Sequence, residues 1–556
     1  MRLTICLLFF VLCGSAFTAQ SQTATQTTQG ITKLSVDPAT TGDPIAVGTN
    51  DTRISTSTGG RAVVANQFAG ADLGAKINAA DAALGASSGI IHVYGGGTLA
   101  TKVQLNSYHT LHFHDGTYTL DSDPAEGLAN EFGFIRLYDH TSVRGDGWGT
   151  IILEPDILNR PKVFEPYVSG TYTDGYFFRG KAQDIIIRDL QIKGVHTQAS
   201  NGTYSTVELG NCHNCSVDRL FLNQTTANGI TIGGSGLAGN HADGVTVTNC
   251  LLYQVQNQGI NIVNGRNVHI SHNTIKSHGR LSGSNGTGID LETNIPEDIM
   301  QSVNIIGNLL DFRDSSLSPA GNGIAVQNSG TDNFGPVKVE GNTLIGANLN
   351  STDAGKMSIG VFVGASTRNV SVISNTIQRT GQEGIISYGT QIDISGNHLV
   401  SAGDLYHYPI ALYGTYTRVH DNNVQVDELA TYTFNGLGEY TGANNNIFAN
   451  NIANTISIVG ASSRAPVNVS SAGVATLTSP VLAGTISVTG TVSGGLTVSG
   501  TTVSDALRLS PTAFASLGTP ANGTLMYCSD CAKATPCASG GTGALAKRLN
   551  NAWDCD

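Results

Sequence analysis

Charged side chains are scarce: Asp, Glu, Lys and Arg make up 13% of the 556 residues, and the balance is acidic, with a formal net charge of −12. No stripe of Lys and Arg interrupts that balance. This argues against a nucleic-acid partner, because phosphate binding needs a basic footprint. Nor is there long-range attraction for an anionic polymer, so a polyuronate would need a local basic group or a bound cation to hold it. Long apolar runs are absent apart from residues 3–12, which are too few to span a bilayer, and no membrane partner is expected. With Arg2 before that run and Gly14-Ser15-Ala16 after it, residues 1–19 read as an export signal for a secreted or periplasmic protein. Long helices are not expected from a composition with 68 Gly and abundant Ser, Thr and Asn, and the regular apolar alternation excludes disorder.

What the chain does contain is a repeated phrase. Between about residues 184 and 452 an alternating apolar strand, an Asn, another apolar pair and a Gly-led strand recur. The clearest copy is Asn267-Val268-His269-Ile270-Ser271-His272-Asn273-Thr274-Ile275. Aligning later copies on it puts Asn273, Asn308, Asn342, Asn375, Asn397, Asn422 and Asn450 in one column. A strand-type repeat of this length means a solenoid, and one Asn per repeat means a stack of side-chain amides.

Before the repeats, residues 20–65 read as a linker or arm. A short amphipathic helix follows, with Leu73, Ile77, Ala80 and Leu84 on one face, and then the strand Gly89-Ile90-Ile91-His92-Val93. A helix over the first coil protects an open sheet edge. This entrance, together with Asp115-Gly116-Thr117-Tyr118 and Val143-Arg144-Gly145-Asp146-Gly147-Trp148-Gly149-Thr150, resembles that of the pectin-lyase-like superfamily. The resemblance covers about residues 68–455 and implies an all-β fold, a right-handed parallel β-helix over 66–455. The superfamily spans lyases, hydrolases, epimerases and non-catalytic tail-spike-like binders, so activity has to come from the site. No catalytic residue transfers by motif: His278-Gly279 is similar to part of the Gly-His-Gly of polygalacturonases, but Ser277 stands where the first Gly belongs.

Beyond the repeats, residues 465–510 alternate small, β-branched and Gly residues. They read either as a stalk that makes a homo-oligomer or as a linker. Residues 511–556 form a module containing Cys528, Cys531, Cys537 and Cys555. In an exported chain these four are expected as two disulfides. Of the other five Cys, Cys6 and Cys13 leave with the signal, and Cys250 falls in the Asn column as a small filler. Cys212 and Cys215 match a redox motif by spacing only.

Laying the Gly-led strands on one another gives two outward columns, since strand side chains alternate. One reads Glu208, Thr231, Asn261, Asp290, Ala325, Phe362, Ile386, Ala411; the other reads Gly210, Gly233, Val263, Glu292, Gln327, Gly364, Tyr388, Tyr413. Asp290 and Glu292 form the acid pair, with Cα atoms roughly 6.5–7 Å apart, suited to general acid and base roles. Glu208, Asn261, Gln327, Tyr388 and Tyr413 would line the groove and bind substrate, the Tyr rings offering apolar faces to sugars. Loop residues His278, Arg280, Arg313 and Asp314 would wall it. Of these, His278 and Arg313 are candidate catalytic groups, and Arg313 can alternatively pair with a neighbouring Asp. No cofactor is required by this chemistry; Asp290, Glu292 and Asp311 are candidate calcium ligands. The sequence therefore points to a polysaccharide partner. A glycoside hydrolase stands ahead of a pectate-lyase-like β-elimination, and a non-catalytic glycan-binding fibre is the rival class.

Overall fold

The computed structural model describes residues 61–121, 134–154, 163–166, 182–194, 205–225, 228–234, 241–276, 286–313, 321–346, 359–402, 408–425, 436–453, 455–458, 474–477, 511–534 and 536–556. The export signal, most of the arm and most of the stalk segment lie outside them. The chain divides into Met1–Ile486 and Ser487–Asp556.

The first unit is a right-handed parallel β-helix, the hand that parallel crossovers take. Among the described residues, 14 strands stack in one parallel sheet, and a second sheet of 24 strands bends at the Asn column. A short third sheet of five strands, one from each of five successive coils, forms a third face. The cross-coil pairing follows the sequence alignment residue for residue. Ile260 lies opposite Ile289, Asn261 opposite Asp290 and Ile262 opposite Leu291; Asp290 lies opposite Ala325 and Glu292 opposite Gln327. The inward members Ile260, Ile262, Ile289, Leu291, Ile324 and Val326 are all fully buried. The glycine leading each strand has a steric cause: a Cβ at Gly259 would come 2.5 Å from the Gly288 carbonyl oxygen, and one at Gly288 would come 2.6 Å from that of Gly323.

The Asn column is a continuous ladder. Asn273 Nδ2 donates to Asn308 Oδ1 at 3.0 Å, Asn308 Nδ2 to Asn342 Oδ1 at 2.9 Å and Asn342 Nδ2 to Asn375 Oδ1 at 3.0 Å. The chain of amides runs on through Asn397 and Asn422. Each Oδ1 also accepts the backbone N–H of the preceding ladder residue, and each Nδ2 donates to a core-strand carbonyl such as Ile305. Cys250 occupies the column one coil earlier, buried, its N–H donating to Asn273 Oδ1.

The last rung corrects the sequence alignment: it is Asn451, not Asn450, that accepts from Asn422. The reason is conformational. The residue before every rung has positive φ (His272, Gly307, Gly341, Ser374, Gly396, Asp421), and Asn450, at 52°, fills that corner slot. Asn tolerates this conformation better than most side chains.

The ends of the solenoid also differ from the expected boundaries. Arg61–Val64, assigned to the arm by composition, pairs in parallel with Gly89–Val93 and opens the sheet. At the other end Thr455–Ile458 pairs with Val474–Leu477, so the 14-stranded sheet continues past residue 455 into the segment read as stalk. The expected helix spans Leu73–Leu84 and buries Leu73, Ile77, Ala80 and Leu84. Its N-cap Asp72 accepts from Gly74 and Ala75 N–H groups and also from Thr101 N–H and Oγ1, tying helix to coil. Burial works against the Asp72 charge, but the Thr101 and backbone donors outweigh it and hold the carboxyl below its ordinary value. Asp72→Ala should therefore cost about 1–2 kcal/mol in denaturant unfolding, with Asp72→Asn retaining part of that.

Cys212, on the short third sheet, and Cys215, just past it, are disulfide-bonded and buried. The pair is thus a staple inside a coil turn, with neither the helix nor the exposure a redox motif uses. In the second unit, disulfides join Cys528 to Cys531 and Cys537 to Cys555. A four-stranded sheet, Pro511–Thr512, Leu525–Cys528, Ala544–Leu549 and Ala552–Cys555, packs the four half-cystines with Leu517 and Trp553. So small a core depends on such cross-links.

Candidate active site

The 14-stranded sheet carries both outward columns. Glu208 lies opposite Thr231, Thr231 opposite Asn261, Ala325 opposite Phe362, Phe362 opposite Ile386 and Ile386 opposite Ala411. The column also extends upstream. Phe164 sits opposite Val207, which sets Glu165 in line with Glu208, and Glu165 pairs with Arg136. The sequence alignment began at Val207 and missed both residues, because their strands lack the Gly-led phrase.

Outward does not mean exposed on this face. Asp290 is 2% exposed, and Thr231, Asn261, Ala325, Ile386 and Ala411 are also buried. The second column is the more open one: Glu292, Gln327 and Tyr413 are half-buried and Tyr388 is exposed. Asp290 is gripped from both neighbouring coils. Gln258 Nε2 donates to Oδ2 from one side, and Gln327 Nε2 donates to Oδ1 at 3.3 Å from the other. Burial first, and the charge of Glu292 second, push the Asp290 carboxyl up to about 7 against the pull of Gln327. One coil back, Asn261 Oδ1 is buried without a hydrogen-bond partner among the described residues. A buried acceptor of that kind is costly unless something meets it. The site therefore holds a carboxyl that is part-protonated near neutral pH, a second carboxylate two residues along, and an unmet amide oxygen beside them.

The remaining predicted residues fare differently. His278, Arg280 and Asp314 lie outside the described residues. Arg313 turns back on Asp311, with Nε 2.9 Å from Oδ1 and the guanidinium gripping both oxygens, so it pairs with an Asp, as the alternative reading held. Asp311 sits on the 24-stranded sheet, away from the sheet that carries Asp290. Among the described residues, the side chains grouped closely enough to share a metal ion are His92/His112/His114 and Cys528/Asp530/Cys531, and the two cysteines of the second group are already spent on a disulfide; neither group contains Asp290, Glu292 or Asp311.

The tyrosines need a correction of role. Tyr388 and Tyr413 stack at 4.5 Å and 14°, and Tyr413 stacks on Tyr440 at 4.3 Å and 3°. Phe362 leans on Tyr388 from the other side. The ring faces expected to meet sugars are occupied by one another, leaving edges and hydroxyls. Burial raises the Tyr388 and Tyr413 hydroxyls above the usual phenol range. Tyr440 was legible: Leu437-Gly438-Glu439-Tyr440 follows the strand phrase one coil beyond Tyr413.

A solenoid of in-register parallel strands defines a parallel β-helix protein. No family model matches the chain, and no curated protein matches it in sequence. Solved structures do. The A-module of mannuronan C-5 epimerase AlgE6 from Azotobacter vinelandii is similar at 15% identity over 76% of this chain and 99% of that one, with a TM-score of 0.48. The AlgE4 A-module from the same organism gives 13% identity, 75% and 99% coverage, and a TM-score of 0.47. The tailspike protein of E. coli bacteriophage HK620, solved as a mutant with a hexasaccharide, gives 15% identity, 72% and 68% coverage, and a TM-score of 0.46. Among the described residues no helix is long and apolar enough to cross a membrane.

Proposed function

We propose that the protein hydrolyses a polysaccharide bound along the outward face of the 14-stranded sheet, with Asp290 as general acid and Glu292 as its partner carboxylate. The observation that carries this reading is the Asp290 carboxyl, raised to about 7 by burial and by Glu292 on the same face. Two carboxyls whose environments separate their proton affinities are what glycoside hydrolysis uses: one protonates the leaving oxygen, the other activates water or attacks the sugar. Glu292 is the member open to a ligand, and Asp290 is reached when the Gln258 amide turns off Oδ2. Asn261 Oδ1, which has no partner among the described residues, would accept a sugar hydroxyl.

Hydrolysis is favoured over β-elimination because elimination wants a basic side chain beside the reacting carbon. Among the described residues, the Arg on the floor column is Arg136, five coils from Asp290, roughly 24 Å at the spacing of paired strands. Incubating the purified protein with plant, algal and microbial polysaccharides tests the reading. New reducing ends without new ultraviolet absorbance, lost in Glu292→Gln, are expected. An unsaturated, ultraviolet-absorbing product would establish elimination instead. Retention of glycans without cleavage would establish a binding fibre.

A further inference from the structure

At the helix-capped end, on the other sheet, a second constellation has no part in that chemistry. His92, on Gly89–Val93, lies directly opposite His112, on His109–Phe113. His112 in turn lies opposite Arg144 on the third coil. His114 and Asp146 follow two residues after His112 and Arg144, on the same outward side. One carboxylate holds two of the rings: His112 Nε2 lies 2.7 Å from Asp146 Oδ1, and His114 Nδ1 lies 2.8 Å from Oδ2. Tyr94 stacks on His114 at 4.0 Å and 4°, fixing its plane.

The tautomers follow from the partners. A carboxylate can only accept, so His112 Nε2 and His114 Nδ1 carry the protons. Arg144, which can only donate, lies 3.4 Å from His112 Nδ1 and confirms that this nitrogen bears a lone pair. The lone pairs are thus on His112 Nδ1 and His114 Nε2. His92 Nδ1 donates to His114 Nε2 at 2.9 Å, and with its proton moved to Nε2 it becomes the third ligand. Ligand atoms of the three rings lie within 4.8 Å of one another. Two nitrogens bound tetrahedrally to one zinc ion at its usual bond length are separated by roughly 3.3 Å, so an ion would replace the His92–His114 hydrogen bond with little movement.

We propose that His92, His112 and His114 bind one divalent transition-metal ion of the imidazole-preferring class, zinc(II) foremost, with Asp146 as the carboxylate that orients two of the rings. Imidazole donors favour such ions over calcium, and the His–carboxylate arrangement is the usual outer support of a His-ligated metal. The site would clasp the first three coils beneath the capping helix. Arg144 opposes it, because its charge sits beside a ligand nitrogen and has to swing away as the ion enters.

The test is calorimetric titration of the untagged, metal-stripped full chain with zinc(II), with calcium(II) as the comparison ion. One equivalent of zinc, no calcium at this site, and a raised Tm with zinc are expected. Asp146→Asn should weaken zinc binding by about 10–100-fold, and His92→Gln, His112→Gln and His114→Gln by more than that. Arg144→Gln should tighten binding by roughly tenfold by removing a nearby positive charge. That gain of affinity keeps the test decisive if a His variant fails to fold. Absence of a saturable zinc equivalent in the parent would overturn the proposal. So would zinc affinity unchanged across the folded His variants and in Arg144→Gln.

Discussion

Asp290→Asn is expected to lower glycan cleavage by about 10²–10⁴-fold, the range that a general acid contributes, while making the folded chain more stable at alkaline pH. The second half of that expectation separates a functional acid from a structural one. The folded protein holds the Asp290 proton far more tightly than the unfolded chain does, the carboxyl moving from 3.8 to about 7. Its stabilising share is therefore complete below pH 3.8 and is lost as pH rises through about 7. The whole change is on the order of 4 kcal/mol. Asparagine carries no such penalty. Denaturant midpoints of parent and variant should converge near pH 4 and separate in the variant's favour by pH 8. Parent activity should fall as pH climbs past about 7 and the acid loses its proton. A variant destabilised equally at both pH values, with cleavage intact, would remove Asp290 from the mechanism.

Asn342→Ala, in the middle of the ladder, should be among the most damaging single truncations in the solenoid. The Asn342 amide satisfies four buried groups at once: the Asn308 N–H and Nδ2, the Ile305 carbonyl and Asn375 Oδ1. Orphaning a buried polar group costs about 1–3 kcal/mol, so a loss of roughly 4 kcal/mol or more is expected even if some groups find new partners. Asn451→Ala provides the internal control. Its losses are the Asn422 N–H and Nδ2 and the Val419 carbonyl, at the last rung, where neighbouring coils relax more readily. Urea unfolding of the two variants should show the central substitution to be clearly the worse. Equal losses would mean that the ladder is not cooperative along its length.

Much of this was readable before any coordinates. Strand side chains have a strict two-residue period, so the alternation fixed which residues face the core, and the Asn column set the stacking of coils. Both outward columns emerged in the pairing the structure shows. Depth was not legible. Whether an outward position is open depends on what lies over it, and periodicity carries no information on that; hence Asp290 is placed correctly on an outward column, yet its burial could not be read. Ring orientation was equally hidden: the sequence places Tyr388 and Tyr413 on adjacent coils but cannot say that they spend their faces on each other. The Asn450 misassignment was avoidable, because every rung follows a residue suited to a left-handed corner, and Asn450-Asn451 offers two candidates for two slots. The histidine constellation escaped because its members fall before the first clear repeat, where there was no column to align them on.

The left-handed corner before each rung has a further consequence. It fixes the path of the chain there in a single residue, so differences in coil length must be taken up elsewhere on the circuit. Rung-to-rung separations run from 35 residues between Asn273 and Asn308 down to 22 between Asn375 and Asn397. The shortest circuit shows how little chain the architecture requires. Cutting and rejoining at equivalent corners should therefore let whole turns be removed, duplicated or transplanted as modules, with the acid-bearing turn carried along as one of them.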